Sequence, residues 1–168
     1  IDPENLYNMD EIGFLLGFCM SEKVVVGTHE LRINDASREL ITVLDGACTD
    51  GTSLDPMIVF KTEELPEGYF TSSALALGWL ERNFGAESQS ARKAKDKWKM
   101  LTLDGHSIHL SWDFLLWGIE YHIIIFCFPL HTTSILQPMD VGLFGPLKHY
   151  YTSLLQEWRE CLGCQAGI

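Results

Sequence analysis

The 168-residue sequence predicts an α/β fold, with three antiparallel strands followed by a parallel strand-helix-strand unit in one mixed sheet and helices packed on it. Three observations predict it. Apolar runs at residues 39–44 and 56–60 flank Thr49-Asp50-Gly51-Thr52-Ser53, the pattern of a hairpin around a turn. A strand pattern at 98–103, a helical one at 112–117 and a β-branched and aromatic run at 123–128 follow one another as a crossover unit would. Residues 141–158 carry apolar or aromatic side chains at 143, 144, 147, 150, 151, 154, 155 and 158, which is a helical stripe.

In chain order, residues 6–9 form a short strand that ends on Asp10, and residues 23–26 form another, closed by Gly27. The hairpin comes next. After the polar segment 62–68, Ser72 and Ser73 offer an N-cap, and Leu75, Leu77, Trp79, Leu80 and Phe84 give a helix that Gly85 ends. Residues 92–97 fit either a helix continuation or a loop. The strand at 98–103 delivers Asp104, and Gly105 lets the chain turn. Ser111 caps the next helix, which closes near Gly118. The run at 123–128 reads as a strand buried on both faces, and Pro129 stops it. Gly145-Pro146 interrupts the last helical stripe. One domain over residues 5–160 follows, with residues 161–168 as a tail.

A chain of this length suits one domain, burying about 70% of its unfolded surface. The composition is that of a soluble globular protein. No charged-then-apolar leader is present, and the most apolar run, 121–130, is too short to cross a bilayer, so an intracellular protein is expected. The start at Ile1-Asp2-Pro3-Glu4 predicts a fragment or truncated relative. The net charge of −11 argues against a surface that wraps nucleic acid non-specifically. All the net acidity lies in residues 1–90, where 16 Asp/Glu face 5 Lys/Arg. Arg92, Lys93, Lys95, Lys97 and Lys99 make a basic run, whose ordinary reading is a solvated surface. Of five cysteines, Cys19, Cys48 and Cys127 read as core residues, and Cys161-Leu-Gly-Cys164 lacks the second pair of ligands that a zinc site needs. The five tryptophans, at positions 79, 98, 112, 117 and 158, are assigned to packing.

Three carboxylates stand out, each at the end of an apolar stretch: Asp10, Asp104 and Asp140. Ligands of α/β sheets gather at strand C-terminal edges, where Asp104 is placed. Two carboxylates at 4 Å repel by about 4 kcal/mol at an effective dielectric near 20, so three ionised ones that converge need compensation. Hard divalent cations supply it, and without metal at least one acid should have a raised pKa. A pair of Mg²⁺ or Mn²⁺ ions on such acids suits phosphodiester chemistry, whereas a glycosidase needs only two carboxylates.

The segments Tyr7-Asn8-Met9-Asp10-Glu11-Ile12-Gly13-Phe14, Lys23-Val24-Val25-Val26-Gly27, Leu103-Asp104-Gly105-His106-Ser107-Ile108-His109 and Leu136-Gln137-Pro138-Met139-Asp140-Val141-Gly142-Leu143-Phe144-Gly145-Pro146-Leu147-Lys148 closely resemble the catalytic domain of DDE-type transposases. The branch they resemble is the pogo-like one of the mariner superfamily. The resemblance covers most of residues 5–158. It implies an RNase H-like fold, Asp10, Asp104 and Asp140 as catalytic acids and metal ligands, two Mg²⁺ or Mn²⁺ ions, and DNA cleavage with strand transfer. It also implies DNA as the partner, a nuclear location, and a homodimer as an assembly to consider. In that family a longer segment is expected after Gly68-Tyr69-Phe70, so a shortening between residues 70 and 78 is predicted. A histidine common where Ile135 stands is missing, while His131 keeps its place.

Around the acids, His106, His131 and Lys148 are candidate substrate contacts, each weighed against an ordinary structural or exposed role. Glu11 reads as a solvent-facing neighbour and His109 as structural. Two functions stay open: a metal-dependent DNA endonuclease, and a catalytically silent transposase-derived module that associates with DNA or protein. A host RNase H-like nuclease is a third, weaker one.

Overall fold

Side chains alternate across a strand, so the two faces of one sheet can serve two different layers. A computed structural model describes residues 1–16, 39–60, 72–104, 111–129 and 137–165. After a 3₁₀ turn at Pro3–Asn5, the elements are β1 (Leu6–Leu16), β2 (Glu39–Cys48), β3 (Met57–Phe60), α1 (Ser72–Phe84), α2 (Gln89–Ala94), β4 (Lys99–Leu103), α3 (Trp112–Glu120) and β5 (Ile123–Cys127). A single π-helical stretch, Met139–Leu143, then runs into α4 (Phe144–Gln165). The five strands form one sheet in the order β3-β2-β1-β4-β5. β1, β2 and β3 are antiparallel, and β4 pairs parallel with both β1 and β5. This is the mixed sheet that the sequence predicts.

On one face, Tyr7 and Met9 of β1, Leu44 of β2, and Leu101 and Leu103 of β4 pack against Ala76, Trp79, Leu80 and Phe84 of α1 and Phe114 of α3. Gly46 makes this approach possible: a Cβ there would lie 2.9 Å from the Asn8 carbonyl oxygen and 3.0 Å from the Trp79 ring. On the other face, Ile12 and Phe14 of β1 and Ile41 of β2 pack with Met139, Phe144 and Tyr151. The helix that follows Asp140 is thereby fastened to the strand that carries Asp10. Serine caps set two helix starts, as Ser88 Oγ accepts the Ala91 N–H and Ser111 Oγ the Phe114 N–H.

Several expectations change. β1 does not stop at Met9 but runs on to Leu16, because its ladder with β2 continues from Tyr7↔Cys48 to Leu16↔Glu39. Asp10 is therefore mid-strand, although it lies just past the last β1–β4 pair, Asn8↔Thr102. β5 is parallel to β4 as expected, but it is an edge strand, and Ile124 and Phe126 are exposed on one face. Pro146 does not break the final helix, which runs on from the π-helical stretch through Gln165. Trp79 is buried and Trp117 stacks on Tyr121 at 4.0 Å, whereas Trp98, Trp112 and Trp158 are exposed and do not fill the core. The expected strand at 23–26, the shortened region at its Phe70 end, and Cys19 lie outside the described residues.

Candidate active site

The even-numbered Ile12 and Phe14 of β1 face the second, smaller core, and Asp10 shares that register. Asn8 pairs with Thr102 where the parallel ladder ends. Two residues further along each chain come Asp10, buried within β1, and Asp104, directly after β4 and partly buried. Asp140 arrives from the other direction, as the second residue of the π-helical stretch, and is exposed. Single π turns within helices recur at functional sites, since the extra residue redirects side chains.

The electrostatics of Asp10 tie the three together. Its Oδ1 accepts the Glu11 N–H at 2.8 Å, whereas its Oδ2 is buried with no hydrogen-bond partner. Burial pushes the Asp10 carboxyl up to about 6, opposed by the Glu11 N–H and the nearby Gln137 side chain, and the negative charges of Asp140 and Asp104 push it higher. Burial is the leading cause of the shift, and the two neighbouring carboxylates add to it. Asp140 and Asp104 each act on Asp10 through their charge, yet among the described residues no three His, Cys, Asp or Glu side chains are grouped closely enough to hold one metal ion. Cys127 also feels Asp104, whose charge adds to burial in raising the thiol pKa.

Lys148 is exposed on α4, about two turns beyond Asp140. Glu11 is exposed, as expected. His106, His109 and His131 lie outside the described residues. Two kinds of residue escape a reading of the sequence. Asp45 is the Cα partner of Asp10 in the β1–β2 ladder, and burial raises its carboxyl as well. Asn8, Thr102 and Gln137 join in a buried polar network beside the acids. The signal for that network was available: a polar residue two positions before each strand acid, on the same face of a strand.

A five-stranded mixed sheet of this order, with helices on it and acids at the β1–β4 edge, defines an RNase H-like α/β domain. The sequence model of the DDE superfamily endonuclease family matches residues 66–160, more than half of the chain, and the chain belongs to that family. Among solved structures, the Mos1 mariner paired end complex with Mn is similar, with a TM-score of 0.62 and 13% identity over 94% of this chain and 48% of that one. The Mos1 transposase catalytic domain with raltegravir and Mg gives a TM-score of 0.59 and 10% identity over 95% of this chain and 70% of that one. A curated relative from Cochliobolus lunatus, named MFS-type transporter clz9, is 27% identical over 170 residues, which cover 89% of this chain and 18% of that protein. The chain thus spans less than a fifth of that relative and about half of the Mos1 chain in the paired end complex. Among the described residues, no helix is long and apolar enough to cross a membrane.

Proposed function

We propose that the chain is the catalytic domain of a metal-dependent, transposase-type DNA endonuclease, with Asp10, Asp104 and Asp140 as ligands of two Mg²⁺ or Mn²⁺ ions. The observation that carries this reading is the buried Asp10 carboxylate, one oxygen of which has no partner while two more acids raise its pKa. An all-oxygen donor set of this kind fits a hard divalent cation, which would give Oδ2 the partner it lacks and offset the mutual repulsion. The Mg and Mn in the Mos1 structures support the same choice of ions. When bound, such ions activate the attacking oxygen and stabilise the leaving one in an in-line displacement at phosphorus.

The reaction proposed is cleavage of a DNA phosphodiester by water, followed by attack of the freed 3′-hydroxyl on a second phosphodiester. Asp10 contributes a dry, fixed oxygen, and Asp140 an exposed one at the start of a helix. Lys148, exposed on α4, is proposed to neutralise a neighbouring DNA phosphate without reading sequence. His106 and His131 remain candidate substrate contacts, and the motif residues around Asp10 and Asp140 support assignment to the pogo-like branch.

One observation favours the second reading, a catalytically silent module that associates with DNA or protein: the described acids are not gathered into one ligand shell. Cation binding separates the two. A ligand that binds only the folded state at a hundred times its Kd adds about 2.7 kcal/mol of stability. Saturating Mn²⁺ is therefore expected to raise the melting temperature of the wild type by several degrees and that of Asp104→Asn by far less. Equal, small responses in both proteins would favour the silent module.

A further inference from the structure

Two buried amides reach all three acid-bearing segments without being acids themselves. Asn8 is 6% exposed and Gln137 is fully buried. Asn8 Nδ2 donates to the Thr102 carbonyl at 3.0 Å and to Thr102 Oγ1 at 2.9 Å, and lies 3.4 Å from Gln137 Oε1. Asn8 Oδ1 accepts the Met139 N–H at 3.1 Å, and Gln137 Nε2 donates to the Met9 carbonyl at 3.0 Å. Thr102 Oγ1 donates in turn to the Tyr7 carbonyl at 3.0 Å. Asn8 and Thr102 each stand two residues before an acid, Asp10 and Asp104, and Met139 stands directly before Asp140.

These bonds fall where the β1–β4 ladder ends. Its last pair is Asn8↔Thr102, two residues before Asp10 and Asp104. The turn that carries Asp140 follows Pro138, and the Met139 N–H belongs to the first turn of a helix, where no intrahelical acceptor exists. Asn8 caps that N–H from a different strand. Its side chain therefore ties the end of the ladder to the start of the helix, and Gln137 adds a second tie to β1.

We infer that Asn8 and Gln137 are positioning residues, which hold the three acids of the proposed site in mutual register. The inference rests on the reading of Asp10, Asp104 and Asp140 as one cation site. Neither amide touches the reacting phosphate in this scheme; each acts through the backbone next to an acid. An apolar residue of equal size at position 8 would fill the space but leave the Met139 N–H and the Thr102 carbonyl without this partner.

The test uses the full chain as wild type, Asn8→Leu, Gln137→Met and, as a packing control on the opposite face of the sheet, Phe114→Leu. Each is first shown to melt cooperatively. Groups that orient metal ligands typically change metal affinity or activity by about 10- to 100-fold when removed. Asn8→Leu and Gln137→Met are expected to weaken Mn²⁺ binding by that factor and to lower kcat for DNA nicking similarly, with KM for DNA nearly unchanged. Asn8→Leu should also expose the Met139 amide to hydrogen exchange, which Phe114→Leu should not. Wild-type Mn²⁺ affinity and kcat in both amide variants would overturn the inference, as would a fully protected Met139 amide in Asn8→Leu. A wild type that neither binds Mn²⁺ nor nicks DNA would instead overturn the function proposed above, and the Met139 exchange would then decide the positioning claim by itself.

Discussion

Asp10→Asn is expected to abolish Mn²⁺-dependent DNA nicking, lowering the rate by about a thousandfold or more, and to make the protein more stable at neutral pH. Both effects come from one buried carboxylate. Its pKa in the folded protein is about 6, against an ordinary value of 3.8, chiefly through burial. A folded-state pKa above the unfolded one means that the native state holds the proton more tightly. The resulting stability is fully present below about pH 4 and is lost as the pH rises through 6. Above that the ionised group remains a cost, on the order of 2 kcal/mol after allowance for partial solvent screening. Asparagine cannot ionise, and its amide NH₂ suits the negative charge of Asp140 and Asp104. Thermal melts at pH 4 should therefore differ little between the two proteins, whereas at pH 7.5 the variant should melt several degrees higher. A variant less stable than wild type at pH 7.5 would show that Asp10 is a structural acid.

Trp79→Ala should have the largest effect on folding, with no part in chemistry. Trp79 is fully buried, lies 6.1 Å from the Phe84 ring centroid and touches the space kept open by Gly46. Removing a buried tryptophan side chain costs about 3–5 kcal/mol, a large share of the roughly 5–15 kcal/mol that holds an ordinary domain together. A fall in melting temperature on the order of 10 °C follows for a chain of this size. Trp79→Phe should cost much less, because the indole Nε1–H is buried without a partner and its loss removes an unsatisfied donor. Calorimetric melts of the two variants check both statements. Equal losses in the two would place the energy in the indole ring itself.

What could be read from the sequence was what adjacent residues decide. The hairpin around Gly51, the Ser111 cap of α3 and the parallel β4–α3–β5 unit depend on periodicity and turn chemistry over a few residues, and the structure has them. The sequence predicts too short a β1 because its last residues, through Leu16, are strand by virtue of pairing with Glu39 and its neighbours, which local pattern does not reveal. The apolar run of β5 did not disclose an edge position, since a strand buried on one face at the margin of a sheet has the same composition. The acids were visible because carboxylates closing apolar runs are uncommon in cores. Asn8, Thr102 and Gln137 were not singled out as a unit, because their bonds join residues 94 and 129 apart in the chain.

The central claim is that Asp10, Asp104 and Asp140 act as one divalent-cation site for cutting DNA. Its most direct test is nicking of supercoiled plasmid by the purified protein in Mn²⁺, with Asp104→Asn as the matched variant. Nicked product is expected from the wild type, none in chelator, and a rate lower by about a thousandfold or more for Asp104→Asn. No Mn²⁺-dependent nicking by a folded wild type, or equal nicking by both proteins, would contradict it.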